Sequence, residues 1–307
     1  MNFWGLFIIM LIVGTVITVI WFVYTVIVKA VAIITPLMKA ASDGDIAKIK
    51  ELLSEGVDIN EQNAAKDTAL SVAVKKDEEK AAEALIAAGA NLTLLYWDDK
   101  NIFTLAIESE NEKTLMRLIE KADVEILAGN EQLLVQATEA NVSAKVLKKM
   151  LEKRKYNQNI IDAALIMAVS TENKQNVKLL IDNGANIEAK DYSGLTCLVL
   201  AVEKGNCEIA KLLLDNKADV NIKFNYEDYY KGDSFGGKLD FGQVSILGYA
   251  VIKDDCKIAK LLLDNKADPN SRIYNPKKVA NVMLLKYAEI EKQTDMYQLL
   301  EKYEALK

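Results

Sequence analysis

The sequence predicts an all-α solenoid of repeated helix pairs joined by hairpin fingers, preceded by a single transmembrane helix. Two observations carry this prediction. Residues 3–28 form a run of 26 positions without a charged side chain, and residues 257–270 nearly repeat residues 208–221. Self-similarity at a period of about 20–50 residues is typical of repeat architectures, in which each helix pair buries its apolar face against the next pair.

The uncharged N-terminal segment is long enough to cross a membrane. As a helix it would extend roughly 39 Å, against a hydrocarbon core of about 30 Å. Trp4 lies near one end and Trp21 and Tyr24 lie near the other. Aromatic rings favour the membrane interface at such positions, and Lys29 can reach the lipid head groups. We therefore expect residues 1–34 to contain a membrane anchor and a short linker.

Two alternatives for this segment remain open: a buried core helix, and a signal peptide cleaved after Ala30-Val31-Ala32. Against cleavage, Met1-Asn2 carries no basic side chain, and the apolar run exceeds the h-region of about 7–15 residues. Lysines follow the span and none precedes it; the first four are Lys29, Lys39, Lys48 and Lys50. The positive-inside rule then predicts a single-pass membrane protein with its repeats in the cytoplasm.

The repeat is marked by how its second helix ends and by a ladder of alanines. Related endings occur at Gly56-Val57-Asp58, Gly89-Ala90-Asn91 and Gly184-Ala185-Asn186. A glycine there can end a helix in the left-handed conformation, and Asn or Asp stabilises the turn beyond it. The ladder recurs every 31 to 33 residues, at Ala40, Ala73, Ala106, Ala137, Ala168 and Ala201. Small alanines allow the first helix of each unit to approach its neighbours closely.

These residues resemble the ankyrin repeat, a turn and two antiparallel helices of about 33 residues. Thr35-Pro36-Leu37-Met38-Lys39-Ala40-Ala41 matches that family's Thr-Pro-Leu-His-x-Ala-Ala helix start except at the histidine. Asp191-Tyr192-Ser193-Gly194-Leu195-Thr196 matches its Asp-x-x-Gly-x-Thr turn. The resemblance covers residues 35–307 and implies an ankyrin solenoid of seven repeats and a C-terminal cap. Its units begin near residues 35, 68, 101, 132, 163, 196, 245 and 283.

Two departures from the family pattern have structural consequences. The chain contains no histidine, so Ser71 and Thr104 are among the residues that replace it in the helix start. We therefore expect the hydrogen bonds that the family assigns to this histidine to be missing. Residues 121–160 lack the Gly-Ala-Asp ending. We expect the fourth repeat to be irregular and locally less stable.

Composition argues against several classes of function. The net charge of −6 is unlike that of a dedicated nucleic-acid binder. The absence of histidine excludes Ser-His and Cys-His pairs and His-ligated metal sites. Cys207 and Cys256 occupy equivalent positions in consecutive repeats, too far apart for a disulfide. We expect no catalytic residue, metal, cofactor, nucleic acid or small-molecule substrate; an acid/base pair of carboxylates is the remaining route to an enzyme.

One basic cluster stands out in this acidic chain. It comprises Lys148, Lys149, Lys153, Arg154 and Lys155. Charge runs of this kind are usually the solvated face of a helix and a following loop. The alternative is a contact with anionic lipid or with an acidic partner.

An insertion at 224–239 is the best candidate for a binding site. It lies on the finger side of the predicted solenoid, and its five aromatic residues are Phe224, Tyr226, Tyr229, Tyr230 and Phe235. Tyr and Phe offer a large contact area and are enriched at protein interfaces. Tyr96, Trp97, Tyr192 and Phe241 on other fingers would extend this surface. Alternatively, the insertion folds its aromatic rings back onto neighbouring fingers, or is disordered.

The resemblance implies how such a protein would act, because ankyrin proteins generally bind partners with their fingers and adjacent first helices. We therefore expect a membrane-tethered scaffold or adaptor that binds an unidentified protein partner. The alternatives are an exported ankyrin protein that acts in a periplasm, lumen or host, and an enzyme with a carboxylate-based site.

Overall fold

The computed structural model describes residues 34–96, 99–229, 238–275 and 280–303. Several predicted site residues lie outside these ranges: Trp4, Trp21, Tyr24 and Lys29 of the anchor, and Trp97, Tyr230 and Phe235 of the fingers. Within these ranges, no helix combines the length and the apolar character needed to cross a bilayer.

The described residues group into two compact units. The first reaches to Gln136 and includes Glu152–Arg154. Its helices are α1 (Pro36–Ser42), α2 (Ile46–Ser54), α3 (Ala69–Lys75), α4 (Glu79–Ala87), α5 (Ile102–Glu108), α6 (Glu112–Lys121) and α7 (Val124–Ala128). The unit boundary falls within the next two helices, α8 (Leu133–Glu139) and α9 (Ala144–Lys153).

The second unit continues the helix pairs and adds two antiparallel hairpins. Its elements are α10 (Gln158–Ser170), α11 (Lys174–Asp182), α12 (Cys197–Glu203), α13 (Cys207–Asp215), β1 (Lys223–Tyr229), β2 (Lys238–Ser245), α14 (Ile246–Ile252), α15 (Cys256–Asp264), β3 (Arg272–Asn275), β4 (Ala280–Met283), α16 (Leu284–Ile290) and α17 (Thr294–Lys302). Strand β1 pairs with β2, and β3 pairs with β4. The helical repeats are confirmed, and in the described ranges they are accompanied by these two hairpins and by an antiparallel bridge between Lys190 and Thr196.

The first helix of each pair provides the close packing. All six alanines of the predicted ladder are buried, with at most 4% of their surface exposed. Larger side chains fill the space beside them, including Leu70, Phe103 and Leu198. Each apolar face is therefore covered by a neighbouring pair within its own unit, which is how a stack of short helices acquires a core.

Polar side chains begin most first helices, as the Thr-Pro start predicts. The Thr35 hydroxyl accepts a hydrogen bond from the backbone N–H of Met38 at 3.3 Å, with Pro36 in the first turn. Thr68 forms a reciprocal pair with Ser71, in which each side chain accepts from the other's backbone N–H. Ser71 occupies the position of the missing histidine. The expectation that this position makes no hydrogen bond is therefore wrong for the second pair.

The helix-to-helix turns are joined by side chains about one repeat apart. Asn111 Nδ2 donates to Asp77 Oδ1 at 2.7 Å in the first unit. In the second unit, Asn206 Nδ2 donates to Glu172 Oε2 at 3.0 Å. Asp77 and Glu172 both adopt the left-handed backbone conformation. Each bond joins the N-cap of one second helix to the turn of the preceding pair and so fixes their spacing.

The region predicted to be irregular does depart from the regular pattern. Helix α6 is followed by Ala122 in an extended conformation, and Asp123 then caps the additional five-residue helix α7. Helix α10 begins with Asn157 as its N-cap, six residues before the predicted boundary near 163. Neither glycine nor proline occurs between 157 and 163 to stop the helix from starting early. Its lower local stability remains a prediction.

Candidate functional site: the finger edge

The chain enters each finger through a turn set by an Asp or Asn side chain. Asp58 Oδ1 accepts from the N–H of Asn60, and Asp219 Oδ1 accepts from the N–H of Asn221, both at 2.9 Å. A second contact spaces consecutive turns: Asn60 Oδ1 accepts from the N–H of Asn91 at 2.8 Å. Because each turn is held by its own side chain and by the preceding repeat, the base of each finger has a defined position.

The finger at 190–196 is a tight hairpin that presents one aromatic ring. Asp191 Oδ1 accepts from the N–H groups of Ser193 and Leu195, at 2.9 and 2.8 Å. Gly194 supplies the left-handed residue that the turn requires, with φ +79°. Tyr192 at the tip is fully exposed, with a relative accessibility of 101%. The hairpin is thus well braced, while its largest side chain makes no packing contribution to the fold.

Tyr96 corrects a sequence-based prediction. We expected it on the partner-binding surface, but only 2% of it is exposed. Its hydroxyl lies 3.4 Å from Thr68 Oγ1 at the N-cap of α3, and burial raises the pKa of this phenol. Tyr96 therefore closes the base of its finger, because its side chain reaches Thr68 at the start of the same repeat. It is a core residue and cannot contact a partner in this conformation.

The insertion contains a β-hairpin, which its composition did not indicate. In the register of β1 and β2, Phe224 faces Val244, Tyr226 faces Gly242 and Glu227 faces Asp240. The pairing therefore skips Phe241, which makes a β-bulge in β2 while β1 stays regular. The backbone positions of Tyr226, Tyr229 and Phe241 are described, but their side chains are not.

Phe224 connects this hairpin to the helices. Its ring lies 5.7 Å from the ring of Tyr249 in α14, at an interplanar angle of 57°. Val244, opposite Phe224 in the register, is completely buried. At its base, the insertion therefore folds back onto the helices, because the Phe224 ring packs against Tyr249. Contact with a partner remains a prediction for the other aromatic residues.

In the first unit, charge pairs link finger bases to first helices, a feature that was not predicted from the sequence. Lys75 near the end of α3 pairs with Asp67 at the finger base. One repeat later the charges are exchanged, since Lys100 at the finger base pairs with Glu108 at 2.8 Å. The sequence did contain a signal for these pairs: two opposite charges eight residues apart recur one repeat later with their signs exchanged. These pairs bring opposite charges together at two consecutive finger bases.

The basic cluster has a structural role at two of its five positions. Lys153 Nζ donates to the carbonyl oxygens of Glu120 and Ala122, at 2.6 and 3.2 Å. Arg154 Nη1 donates to the carbonyl oxygen of Leu127 at 2.5 Å. These are the exposed carbonyl ends of α6 and α7, where cations are favourable. Lys153 and Arg154 therefore act as helix caps. They are neither part of a purely solvated helix face nor a contact with lipid.

The described residues offer little reactive chemistry. All three cysteines are free thiols. Burial, followed by the nearby Glu188 carboxylate, raises the pKa of Cys197 to about 12, so this thiol is a poor nucleophile. No metal-ligating group of three Cys, Asp or Glu residues occurs in the described part of the chain. Hydrogen bonds from Lys260 and then Tyr303 lower the pKa of Asp264, the opposite of what a general acid needs.

Comparison with known proteins also identifies ankyrin repeats in this chain. A family model described as ankyrin repeats (3 copies) matches residues 37–128 and 133–224. Over 172 residues the chain is 30% identical to the ankyrin repeat protein YahD of Escherichia coli K12, covering 52% of this chain and 84% of that protein. It is 25% identical over 173 residues to an ankyrin repeat protein of Rickettsia bellii, covering 52% of this chain but only 24% of that protein.

A similar solved structure is a chain from the complex of the Bd0816 predatory endopeptidase of Bdellovibrio bacteriovorus with the immunity protein Bd3460. The similarity covers 60% of this chain and 98% of that one, at 23% identity and a TM-score of 0.48.

Proposed function

The chain belongs to the ankyrin-repeat family, and we propose that it is a membrane-tethered scaffold that binds a folded protein partner along its finger edge. Ankyrin repeats generally serve as protein interaction modules. The proposed contact residues are Tyr192, Tyr226, Tyr229, Tyr230, Phe235, Phe241 and Trp97, while Phe224 packs against Tyr249. Tyr96 is no longer among them, because it is buried.

The observation that carries this proposal is the exposure of Tyr192 on a rigid tip. Two hydrogen bonds to Asp191 and the left-handed Gly194 hold the backbone in place. The ring itself is fully accessible. A tyrosine presented in this way loses little conformational entropy on binding, because its backbone is already ordered, and it can bury a large area against a partner.

The membrane tether is supported by the sequence and by the position of the first helix. The uncharged run ends at Val28, and α1 begins at Pro36. Seven intervening residues, even if fully extended, reach only about 25 Å. A span at 3–28, with Trp4, Trp21, Tyr24 and Lys29 at its interfaces, would therefore keep the first repeats close to the bilayer and a bound partner near its surface.

Affinity capture from the native membrane fraction tests the binding surface. We expect the full-length chain to retain a partner that Tyr192→Ala loses, with an affinity cost of about 2 kcal/mol for an interfacial aromatic anchor. Ser193→Ala is the matched control, because Ser193 is exposed at the same tip. If both variants retain every partner equally well, Tyr192 is not a contact and the proposal for the finger edge fails.

The tether needs a separate test, because binding and anchoring can fail independently. Carbonate extraction should leave the full-length chain in the membrane pellet and release a chain that lacks residues 3–28. A reporter fused after Lys307 should be active only on the cytoplasmic side. Reporter activity on the opposite side would support the exported alternative, and release of the full-length chain by carbonate would remove the anchor from the proposal.

A further inference from the structure

The chain contains a single Asn-Gly dipeptide, Asn183-Gly184, at the end of α11. Both residues are exposed, and Asn183 is the C-cap of the helix. The side-chain amide of an asparagine can be attacked by the backbone nitrogen of the next residue. This attack is easiest when the next residue is glycine, because glycine has no Cβ to obstruct it and has the widest range of backbone conformations. Asn183 is therefore a candidate site of covalent modification.

The same helix ending occurs twice more, with lysine in place of the glycine. Asn183 and Asn216 have φ −97° and −95°, and the Nδ2 of each donates to the carbonyl oxygen four residues earlier at 2.8 Å. The following backbone N–H donates to a carbonyl oxygen of the last turn, at 3.0 Å for Gly184 and 2.9 Å for Lys217. Asn265-Lys266 repeats this arrangement at the end of α15. The identity of the following residue therefore distinguishes Asn183 from the other two sites.

In the folded helix end, hydrogen bonds restrain both reacting groups. Asn183 Nδ2 donates to Leu179 O, and the Gly184 N–H donates to Ile181 O. The side-chain carbon and the backbone nitrogen can therefore meet only after the last turn opens. Local opening of a helix end costs much less free energy than unfolding of the core. Because the three sites share these hydrogen bonds, opening alone would not single out Asn183, whereas glycine at the next position does.

We propose that Asn183 deamidates spontaneously through a cyclic imide formed with Gly184. The Gly184 nitrogen loses its proton and bonds to Cγ of Asn183, the Cγ–Nδ2 bond breaks, and Nδ2 takes up a proton and leaves as ammonia. Water then opens the imide at one of its two carbonyl carbons, which gives either an aspartate or a β-linked isoaspartate. Both products carry a carboxylate where the chain had a neutral amide, and the reaction consumes no oxidant or cofactor.

A carboxylate is poorly suited to the end of α11. It cannot donate to Leu179 O as the amide does, and its negative charge lies at the negative end of the helix dipole. Shortly beyond this end, the Asn186 N–H donates to Asp162 Oδ1 at 2.8 Å and so anchors the entry to the finger at 190–196. Deamidation at this position therefore weakens the anchoring of the finger that carries Tyr192.

Peptide mass spectrometry measures the reaction on the full-length chain, aged in detergent at mildly alkaline pH and then digested at acidic pH. We expect Asn183 to convert about tenfold faster than Asn216 and Asn265, because only Asn183 precedes a glycine. Conversion should also accelerate as the pH of the ageing buffer rises, since the attacking nitrogen must lose its proton. Equal rates at the three sites, or no conversion at Asn183, would overturn the proposal.

Gly184→Lys and Lys217→Gly separate the chemistry from the opening of the helix end. Lysine is strained in the left-handed backbone at position 184, so Gly184→Lys would speed conversion of Asn183 if opening alone controlled the rate. We expect instead that Gly184→Lys slows this conversion about tenfold and that Lys217→Gly speeds conversion of Asn216 about tenfold. Changes in the opposite directions would contradict the role of Gly184.

Asn183→Asp carries the same charge as the aspartate product and tests its effect on the finger. We expect hydrogen exchange of the Asn186 amide to rise about fivefold in this variant, whereas the control Asn216→Asp should leave that amide unchanged. Unchanged exchange in Asn183→Asp would overturn the proposed weakening of the finger. None of these measurements involves a binding partner, so the deamidation can stand if the proposed scaffold function fails, and the reverse also holds.

Discussion

Helix ends in this protein are closed in two ways. Helix α11 is closed by its own chain: Gly184 has φ +85°, and Ala185 N–H donates to Leu180 O at 3.0 Å. The ends of α6 and α7 receive hydrogen bonds from Lys153 and Arg154, about 30 residues further along the chain, and Asn130 adds a local bond at the end of α7. The first kind of ending can be predicted from a few consecutive residues. The second kind depends on residues that come together only when the chain folds.

The fourth repeat has the second kind of helix ending. It lacks the Gly-Ala-Asp ending, and its basic residues resemble a solvated helix face. In the structure those two features lie together, because Lys153 and Arg154 donate to carbonyl oxygens at the ends of α6 and α7, in addition to the local bonds of Asn130. The irregular segment is therefore stabilised by contacts distant in sequence, and it should be more sensitive to single side-chain changes than a regular helix end.

The largest effect should come from removing a long-range cap. Arg154→Ala leaves the Leu127 carbonyl without its charged donor, and we expect a loss of about 2 kcal/mol in local stability. Hydrogen exchange of the amides in 122–130 should accelerate accordingly. Lys155→Ala, at the exposed neighbouring position, should leave exchange unchanged. Equal exchange in the two variants would mean that Arg154 does not close α7.

A reciprocal pair of substitutions tests the local ending. Gly184 and Lys217 occupy the same turn position after α11 and α13, with φ +85° and +70°. Gly184→Lys should therefore destabilise its repeat by about 1 kcal/mol, and Lys217→Gly should stabilise its own by a similar amount, because only glycine adopts this backbone without strain. Urea unfolding followed by circular dichroism gives both signs. Shifts in the same direction would rule out left-handed strain as the cause.

Two threonine N-caps allow a smaller and more selective test. Thr68 Oγ1 accepts from the Ser71 N–H at 3.2 Å, whereas buried Thr196 Oγ1 has no hydrogen-bond partner among the described residues. Thr68→Val should cost about 1 kcal/mol, the usual value of a lost cap. Thr196→Val should be neutral or slightly stabilising, because it removes an unsatisfied buried hydroxyl. Comparable losses in urea unfolding would show that Thr196 is satisfied by a group such as bound water.

The smallest effect concerns an exposed cluster that links α15 to Tyr303. Hydrogen bonds from Lys260 and Tyr303 lower the pKa of the Asp264 carboxyl. The stabilisation is present above the carboxyl's unfolded pKa of about 4 and is lost as pH falls through the lower folded pKa. Tyr303→Phe should move the pKa of Asp264 back up, as followed by NMR titration of its carboxyl carbon. An unchanged titration would mean that the Tyr303 hydroxyl does not bind Asp264 in solution.

By itself, the sequence determined the features that depend on neighbouring residues. Thr35-Pro36 begins a helix, Gly184 ends one, and the Asp191–Thr196 motif makes a finger with Tyr192 at its exposed tip, because capping and turn chemistry act within about four positions. The recurrence of these signals also predicted the stacking, since an isolated helix pair cannot bury its apolar face.

Packing determines where side chains from different parts of the chain meet. Tyr96 was expected on the surface and is buried against Thr68. Lys153 and Arg154 became helix caps. A tyrosine, lysine or arginine can lie either on the surface or against another part of the chain. Which of the two occurs depends on how close packing brings the distant chain segments.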